Sequence, residues 1–260
     1  MATHATTPVD APHRLSTSPT ARLVLTEVRL MVRDPLTLTF VFAFPIVTML
    51  IIGGSFGTAP DDAFAGQNPA HWYVASYVTV ALGATGLVML PVHLASYRER
   101  GVLRRFAIAG FPRWSFALAQ LVVGLTTFAL ASALLLAVAW PVYDVPAVAD
   151  PLRVGLGIAA GAVAFVSLGI LLGTLLPSAR AAQAVGLMLF FPSFLLGVGG
   201  PPPEVMGTEL RTLSEFLPLA VVTEAVRGPW LGIADATGQL LATVALAGVA
   251  LVLAARRTAL

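Results

Sequence analysis

The sequence has no cysteine, no lysine and little charge of either sign. Each shortage closes off a set of functions. Without cysteine there is no disulfide, no thiolate metal site and no thiol nucleophile. Without lysine the phosphate-binding loop G-x-x-x-x-G-K-[ST] cannot be written, because its Lys reaches the β- and γ-phosphates. ATP-driven work by this protein therefore requires a second chain. Charged residues make up 11% of the 260 positions, against roughly 25% in a soluble globular domain. Hydrophobic residues make up 57%, and the mean hydropathy is +0.87. This is the composition of an integral membrane protein. The pI near 9.5 does not point to a nucleic-acid partner, because the net charge is only +2.

Six apolar runs are long enough to cross a bilayer, whose core needs about 20 helical residues. They are 36–57, 72–95, 114–140, 152–176, 181–199 and 238–255. The expected fold is all-α, with six transmembrane helices in one domain over 21–260. Residues 1–20 are polar and rich in Thr, Pro and Ala, and read as a disordered cytoplasmic tail. The even span count puts both termini on one side. With that side cytoplasmic, Arg14, Arg22, Arg29, Arg33, Arg98, Arg100, Arg104, Arg105, Arg113, Arg180, Arg256 and Arg257 all lie inside, and only Arg153, Arg211 and Arg227 lie outside. The positive-inside rule selects this orientation. Most acidic residues then fall outside, in segments that include 200–237.

Before the first span, residues 21–34 place Arg22, Glu27, Arg29 and Arg33 at helical spacing, with apolar residues over the rest of the surface. This reads as an amphipathic helix in the inner interface, its Arg side chains reaching lipid headgroups. The other reading is a cytosolic helix packed on a protein. Pro45, Pro91 and Pro192 fall inside spans, where kinks are tolerated. Gly157, Gly161, Gly169 and Gly173 share one four-residue register in the fourth span, a small-residue ridge suited to close helix packing within the subunit or, less simply, to dimerisation.

Catalytic and ion-coupling groups are scarce. The span interiors contain no Asp, Glu or Arg, and His93 is the one imidazole inside a span. It reads as a hydrogen-bonded residue near the inner interface rather than a proton relay. No H-E-x-x-H motif occurs. A carrier that couples to ions by itself lacks its coupling residue.

Positive charge is concentrated between spans two and three, in "ASYRERGVLRRFAIAGFPRW". Ser96 and Glu99 fit an S-x-x-E capping box opening a new helix. Val102, Leu103 and Phe106 would form an apolar stripe on it, with Arg98, Arg104 and Arg105 around them and Pro112 ending the segment. A topological signal needs only the Arg residues. A docking element also needs the stripe.

Three stretches carry a family resemblance. The first is Glu99-Arg100-Gly101-Val102-Leu103-Arg104-Arg105-Phe106 with Pro112. It is similar to the E-x-G-[TV]-L-x-R-[LF]…P loop of type-2 ATP-binding-cassette (ABC) exporter permeases, a class that includes daunorubicin-resistance-type drug exporters and O-antigen or teichoic-acid exporters. The second is Leu168-Gly169-Ile170-Leu171-Leu172-Gly173-Thr174-Leu175 followed by Ser178, Ala179 and Gln183, which resembles that family's fourth span and short inner loop. The third runs through Pro201, Leu217-Pro218-Leu219, Glu224-Ala225 and Pro229-Trp230-Leu231-Gly232, and resembles its external segment. The chain departs from the family at Ala220, where Thr is common, and in the run Gly199-Gly200-Pro201-Pro202-Pro203, which replaces an aromatic pair.

The resemblance implies a permease subunit in a bacterial cytoplasmic (inner) membrane. A separate ABC ATPase would hold the ATP and magnesium, with no cofactor bound by this chain. A second permease copy would complete the path, most simply as a homodimer in lipid. Arg98, Glu99, Arg100, Gly101, Val102, Leu103, Arg104, Arg105 and Phe106 become the ATPase-docking helix. Pro201, Pro218, Glu215 and Glu224, in half-inserted helices of 200–237, become the external gate. For Glu215 and Glu224 plain solvated charge is the alternative. Compact loops lean the substrate toward a small amphiphilic drug or lipid. Export of a lipid-linked glycan, or a non-transporting anchor role, are the other readings.

Overall fold

The computed structural model describes residues 26, 33–35, 38–102, 108 and 113–258. Among them there is no strand, only one isolated bridge between Asp61 and Gln67. Among the described residues six helices are long and apolar enough to cross a membrane: α1 (Leu38–Ser55), α2 (Pro69–Glu99), α3 (Arg113–Tyr143), α4 (Pro151–Leu175), α5 (Ala179–Gly197) and, after two shorter helices, α8 (Thr237–Thr258). The shorter pair is α6 (Thr208–Ser214) and α7 (Pro218–Leu231). The expected all-α, six-span fold is the observed one. The amphipathic segment lies almost wholly outside the described residues, including Arg22 and Arg29, while Arg33 is an exposed turn residue.

Caps set several boundaries. Asn68 accepts a hydrogen bond from the Ala70 N–H at 2.9 Å, with Pro69 at the first helical position of α2. Asp150 caps α4 the same way through the Arg153 N–H at 3.0 Å, with Pro151 following it. Ser178 caps α5 through the Ala181 N–H at 3.1 Å. In each case a side-chain oxygen satisfies an otherwise orphaned N–H, and proline at the first helical position surrenders no bond the helix would use.

α2 is the buried centre. Tyr73, Val74, Tyr77, Val80, Ala84, Leu87 and Leu90 are all sealed from solvent, and α1, α3, α4, α5 and α7 pack around it. α8 lies along α4. Outward faces remain apolar, as at Ile51 of α1, Leu134 of α3, Met188 of α5 and Leu241 of α8. In water such faces would be a liability. In lipid they are the solvated surface.

Two spans contain a π-helical turn, Leu38–Ala43 in α1 and Ala84–Met89 in α2, each ending two residues before a proline, Pro45 or Pro91. Proline has no N–H and its ring crowds the carbonyl four residues back. Widening the preceding turn relieves that crowding while keeping the backbone bonded, as where the Leu90 N–H donates to the Thr85 carbonyl. Gly86 sits in the wider turn of α2. A Cβ there would lie 2.4 Å from the Phe165 carbonyl oxygen of α4, so only glycine admits this approach.

Candidate functional site

Chain order assigns the loops to two ends of the bundle. Loops 56–68 and 144–150 and the segment 198–236 meet at one end. The loop after α2 and the turn 176–178 meet at the other. Each end holds one polar arrangement built across helices.

At the first end the chain turns inward before α7. Leu217 is extended, Pro218 starts the helix, and Gly232 at φ 68° ends it. α7 then runs outward along the first half of α2. Leu219 reaches Gly83, near the middle of α2, where a Cβ would be 3.0 Å from Leu219 Cδ2. One turn on, the Thr223 and Thr79 hydroxyls are 2.6 Å apart. A further turn on, Arg227 lies over Trp72. The neighbouring face of α7, with Val222, Ala225 and Val226, packs on Gly157 and Gly161 of α4. A Cβ on Gly161 would lie 2.6 Å from Val222 Cγ1, and one on Gly157 would lie 2.9 Å from the Ala225 carbonyl.

Arg227 is 1% exposed. Its guanidinium carbon lies 3.8 Å from the centroid of the Trp72 ring, Nη1 donates to Ser76 Oγ at 3.2 Å, and Nη2 pairs with the Glu224 carboxylate one turn earlier. Burial lowers the proton affinity of the guanidinium, and Glu224 raises it. Arginine starts so high that it stays charged. The charge is thus held by a carboxylate, a hydroxyl and an aromatic face rather than by water. Trp72 in turn joins Phe64, Tyr73 and Phe56 in an aromatic cluster, and Tyr73 donates to the Gly200 carbonyl at 3.2 Å.

Sequence reasoning counts Arg227 among outer-loop charges. The structure keeps Arg227 in that segment but buries it against α2. The available signal is Glu224-x-x-Arg227 in an otherwise apolar helix, since residues three apart share a face. Glu215 and Glu224 are not brought together. Glu215 is exposed at the end of α6, while Glu224 is committed to Arg227. Pro201 is exposed and Pro218 is the first residue of α7.

At the opposite end α2 continues to Glu99, a full turn beyond the expected boundary, and the Arg100 N–H still bonds to the Ser96 carbonyl at 3.1 Å. Ser96 and Glu99 therefore lie in the last turn of α2 and do not cap a new helix, a correction to the capping-box reading. The break comes at Gly101, at φ 66°, whose N–H bonds to the Arg98 carbonyl at 3.0 Å. Glycine reaches this left-handed conformation without strain. Val102 is again helical and half-buried, and Glu99 and Arg100 are exposed. Leu103, Arg104, Arg105 and Phe106 lie outside the described residues. The His93 and Tyr97 rings meet at a tilt of 46°, centroids 4.5 Å apart.

Arg98 reaches across to α4. Its Nη1 donates to the carbonyls of Gly173 at 3.1 Å, Thr174 at 2.6 Å and Leu176 at 3.1 Å. On the same face of α2, one and two turns earlier, Leu94 packs on Gly173 and Leu90 on Gly169. The glycine register of the fourth span is thus divided between two partners inside the subunit: α7 at Gly157 and Gly161, α2 at Gly169 and Gly173.

Among the described residues no cluster of His, Cys, Asp or Glu could hold a metal ion. Arg227 and Arg98 each join one helix to another. No curated protein matched the chain. A family model, the ABC-2 type transporter, matches residues 20–230, a stretch that takes in the first five spans, the loop after α2 and almost all of α7. On that match and the six apolar helices, the chain belongs to the ABC-2 type transporter family, as a multi-pass transmembrane permease.

Proposed function

We propose that this permease works as an exporter in a bacterial cytoplasmic membrane, driven by an ATPase subunit seated on the loop after α2. The observation that carries the reading is the placement of that loop. It follows α2, around which α1, α3, α4, α5 and α7 pack, and α2 ends in a glycine turn at Gly101. A push on it is delivered to the centre of the molecule. The chain has no lysine for a phosphate-binding loop, so the push comes from outside. In this reading both termini are cytoplasmic, two copies line the path, and the end that holds α7 faces outward.

The substrate in this reading is a small amphiphilic drug or lipid. What supports it is the aromatic face that α1 and α5 share. Phe40, Phe44, Phe190, Phe191 and Phe194 form a continuous, mostly edge-to-face cluster with centroids 5.1–6.4 Å apart; Phe190 and Phe194 are buried in it, and Phe191 and Met188 are exposed at its edge. Aromatic and thioether side chains give a broad, adaptable, uncharged surface. The test is co-purification with an ATPase encoded beside this chain. Leu103→Asp with Phe106→Asp is expected to abolish association while the permease still elutes as one folded species. Unchanged association of the double variant rules out docking through this loop.

A further inference from the structure

We propose that Arg98 is a positioning residue that clamps the end of α2 to the end of α4, so that the loop after α2 and the turn between α4 and α5 move as one body. The proposal rests on the reading of that loop as the ATPase seat. It differs in what Arg98 touches: the rest of its own chain rather than the partner.

The geometry leads to this in three steps. First, the end of an α-helix leaves its last carbonyls without intrahelical donors. α4 has no basic residue in its last turn and is followed within two residues by Pro177, which has no N–H to offer. Pro177 is the residue whose N–H would ordinarily reach the Gly173 carbonyl. Second, Nη1 of Arg98 reaches three of the terminal carbonyls, at Gly173, Thr174 and Leu176, its two hydrogens shared among the three. A cation at a helix C-terminus also meets the negative end of the helix dipole. Third, the contact is the last rung of a ladder. Leu90 meets Gly169 and Leu94 meets Gly173, where added Cβ atoms would lie 2.8 and 2.7 Å from the leucine Cβ atoms. Arg98 is one turn beyond Leu94. Two helices packed this closely do not slide freely, so a displacement of the α2 tip is carried to the α4 tip. Ser178, the cap of α5, is two residues past Leu176. The clamp therefore sits where motion of the loop passes to α4 and α5 together.

This chain has no cysteine of its own to take a label. Spin labels at Ser96→Cys and Arg180→Cys report the distance between the α2 tip and the start of α5 in the purified permease–ATPase complex, without nucleotide and with ATP and vanadate. With Arg98 present, one narrow distance is expected, unchanged between the two states. Arg98→Ala is expected to lose that single distance in favour of a broad distribution when ATP and vanadate are added, while the ATPase still co-purifies. Arg98→Lys is expected to restore the narrow distance, because all three carbonyls converge on a single nitrogen and an ammonium carries three donors. A narrow, unchanged distance in Arg98→Ala overturns the clamp. Loss of the ATPase from both Arg98→Ala and Arg98→Lys also overturns it and makes Arg98 a docking contact. If the chain with native Arg98 carries no ATPase, the seating reading itself fails and the transmission role falls with it.

Discussion

Arg227 lies over Trp72, its guanidinium carbon 3.8 Å from the ring centroid, and this pair pins α7 to the first turn of α2. A cation on an aromatic face gains about 2 kcal/mol when desolvated. Removing one partner of a buried ion pair costs roughly 3–5 kcal/mol. The Glu224 side chain is 35% exposed, so it can recover part of its hydration if Arg227 is lost.

Arg227→Ala is therefore expected to destabilise the permease by roughly 2–4 kcal/mol, somewhat below the cost for a fully buried pair. Adding Glu224→Gln should recover part of that loss, because it removes the carboxylate left behind, and groups in one network are not additive. Thermal unfolding in detergent, followed by size-exclusion fluorescence, measures both. Equal unfolding temperatures for the native chain and Arg227→Ala would remove Arg227 from any role in holding α7.

The contrast between Arg227 and the spans explains what the sequence could tell. Long apolar runs report burial in lipid directly, because hydropathy sums over about 20 residues; all six spans are legible this way. Cap residues refine their ends, and Asn68-Pro69 and Asp150-Pro151 moved two boundaries outward. A contact between distant segments has no such local signature. Arg98 looks like any other loop arginine until α4 is placed beside it. The chain-order register of Gly157 to Gly173 shows that something packs closely, but not that α7 takes one half and α2 the other.

Gly86 and Gly155 make a matched pair for testing the α2–α4 contact. A Cβ on Gly86 would collide with backbone of α4, at 2.4 Å from the Phe165 carbonyl oxygen, whereas one on Gly155 meets nothing within 4 Å. Gly86→Ala should cost about 1–3 kcal/mol through forced separation of the helices. Gly155→Ala should be neutral or stabilising by up to about 1 kcal/mol, since alanine restricts the unfolded chain at no steric cost. If the two variants melt together, the close approach has no energetic weight.

The Thr79–Thr223 hydroxyl contact, at 2.6 Å, joins α7 to the middle of α2 in the dry interior. Each hydroxyl also donates to or shares a carbonyl of its own helix, at Ser76 and Leu219. Hydrogen bonds between membrane helices average about 0.6 kcal/mol and reach about 1.7. Thr79→Val and Thr223→Val should each fall in that range. The double variant should cost less than the two combined, because the second substitution removes a group already without its partner. Strict additivity in a double-mutant cycle would show that the pair is not coupled.

Gly101 tests whether the shape of the loop after α2 matters as well as its side chains. Its φ of 66° is what lets α2 stop and a new helix begin at Val102 with no connecting segment. A side chain with a branched Cβ is strongly disfavoured there, whereas asparagine tolerates the left-handed region. Gly101→Val should force the turn open at a cost of about 1–2 kcal/mol and rotate the following helix away from its seat. Gly101→Asn should keep the turn. The expected result is several-fold weaker ATPase association for Gly101→Val, up to about tenfold for a 1.4 kcal/mol penalty, with Gly101→Asn close to the native chain. Both substitutions leave Leu103 and Phe106 in place, so the difference between them isolates backbone direction from side-chain contact. Equal association for all three would mean that the ATPase grips the loop in whatever direction it points, and the glycine turn would then serve only to end α2.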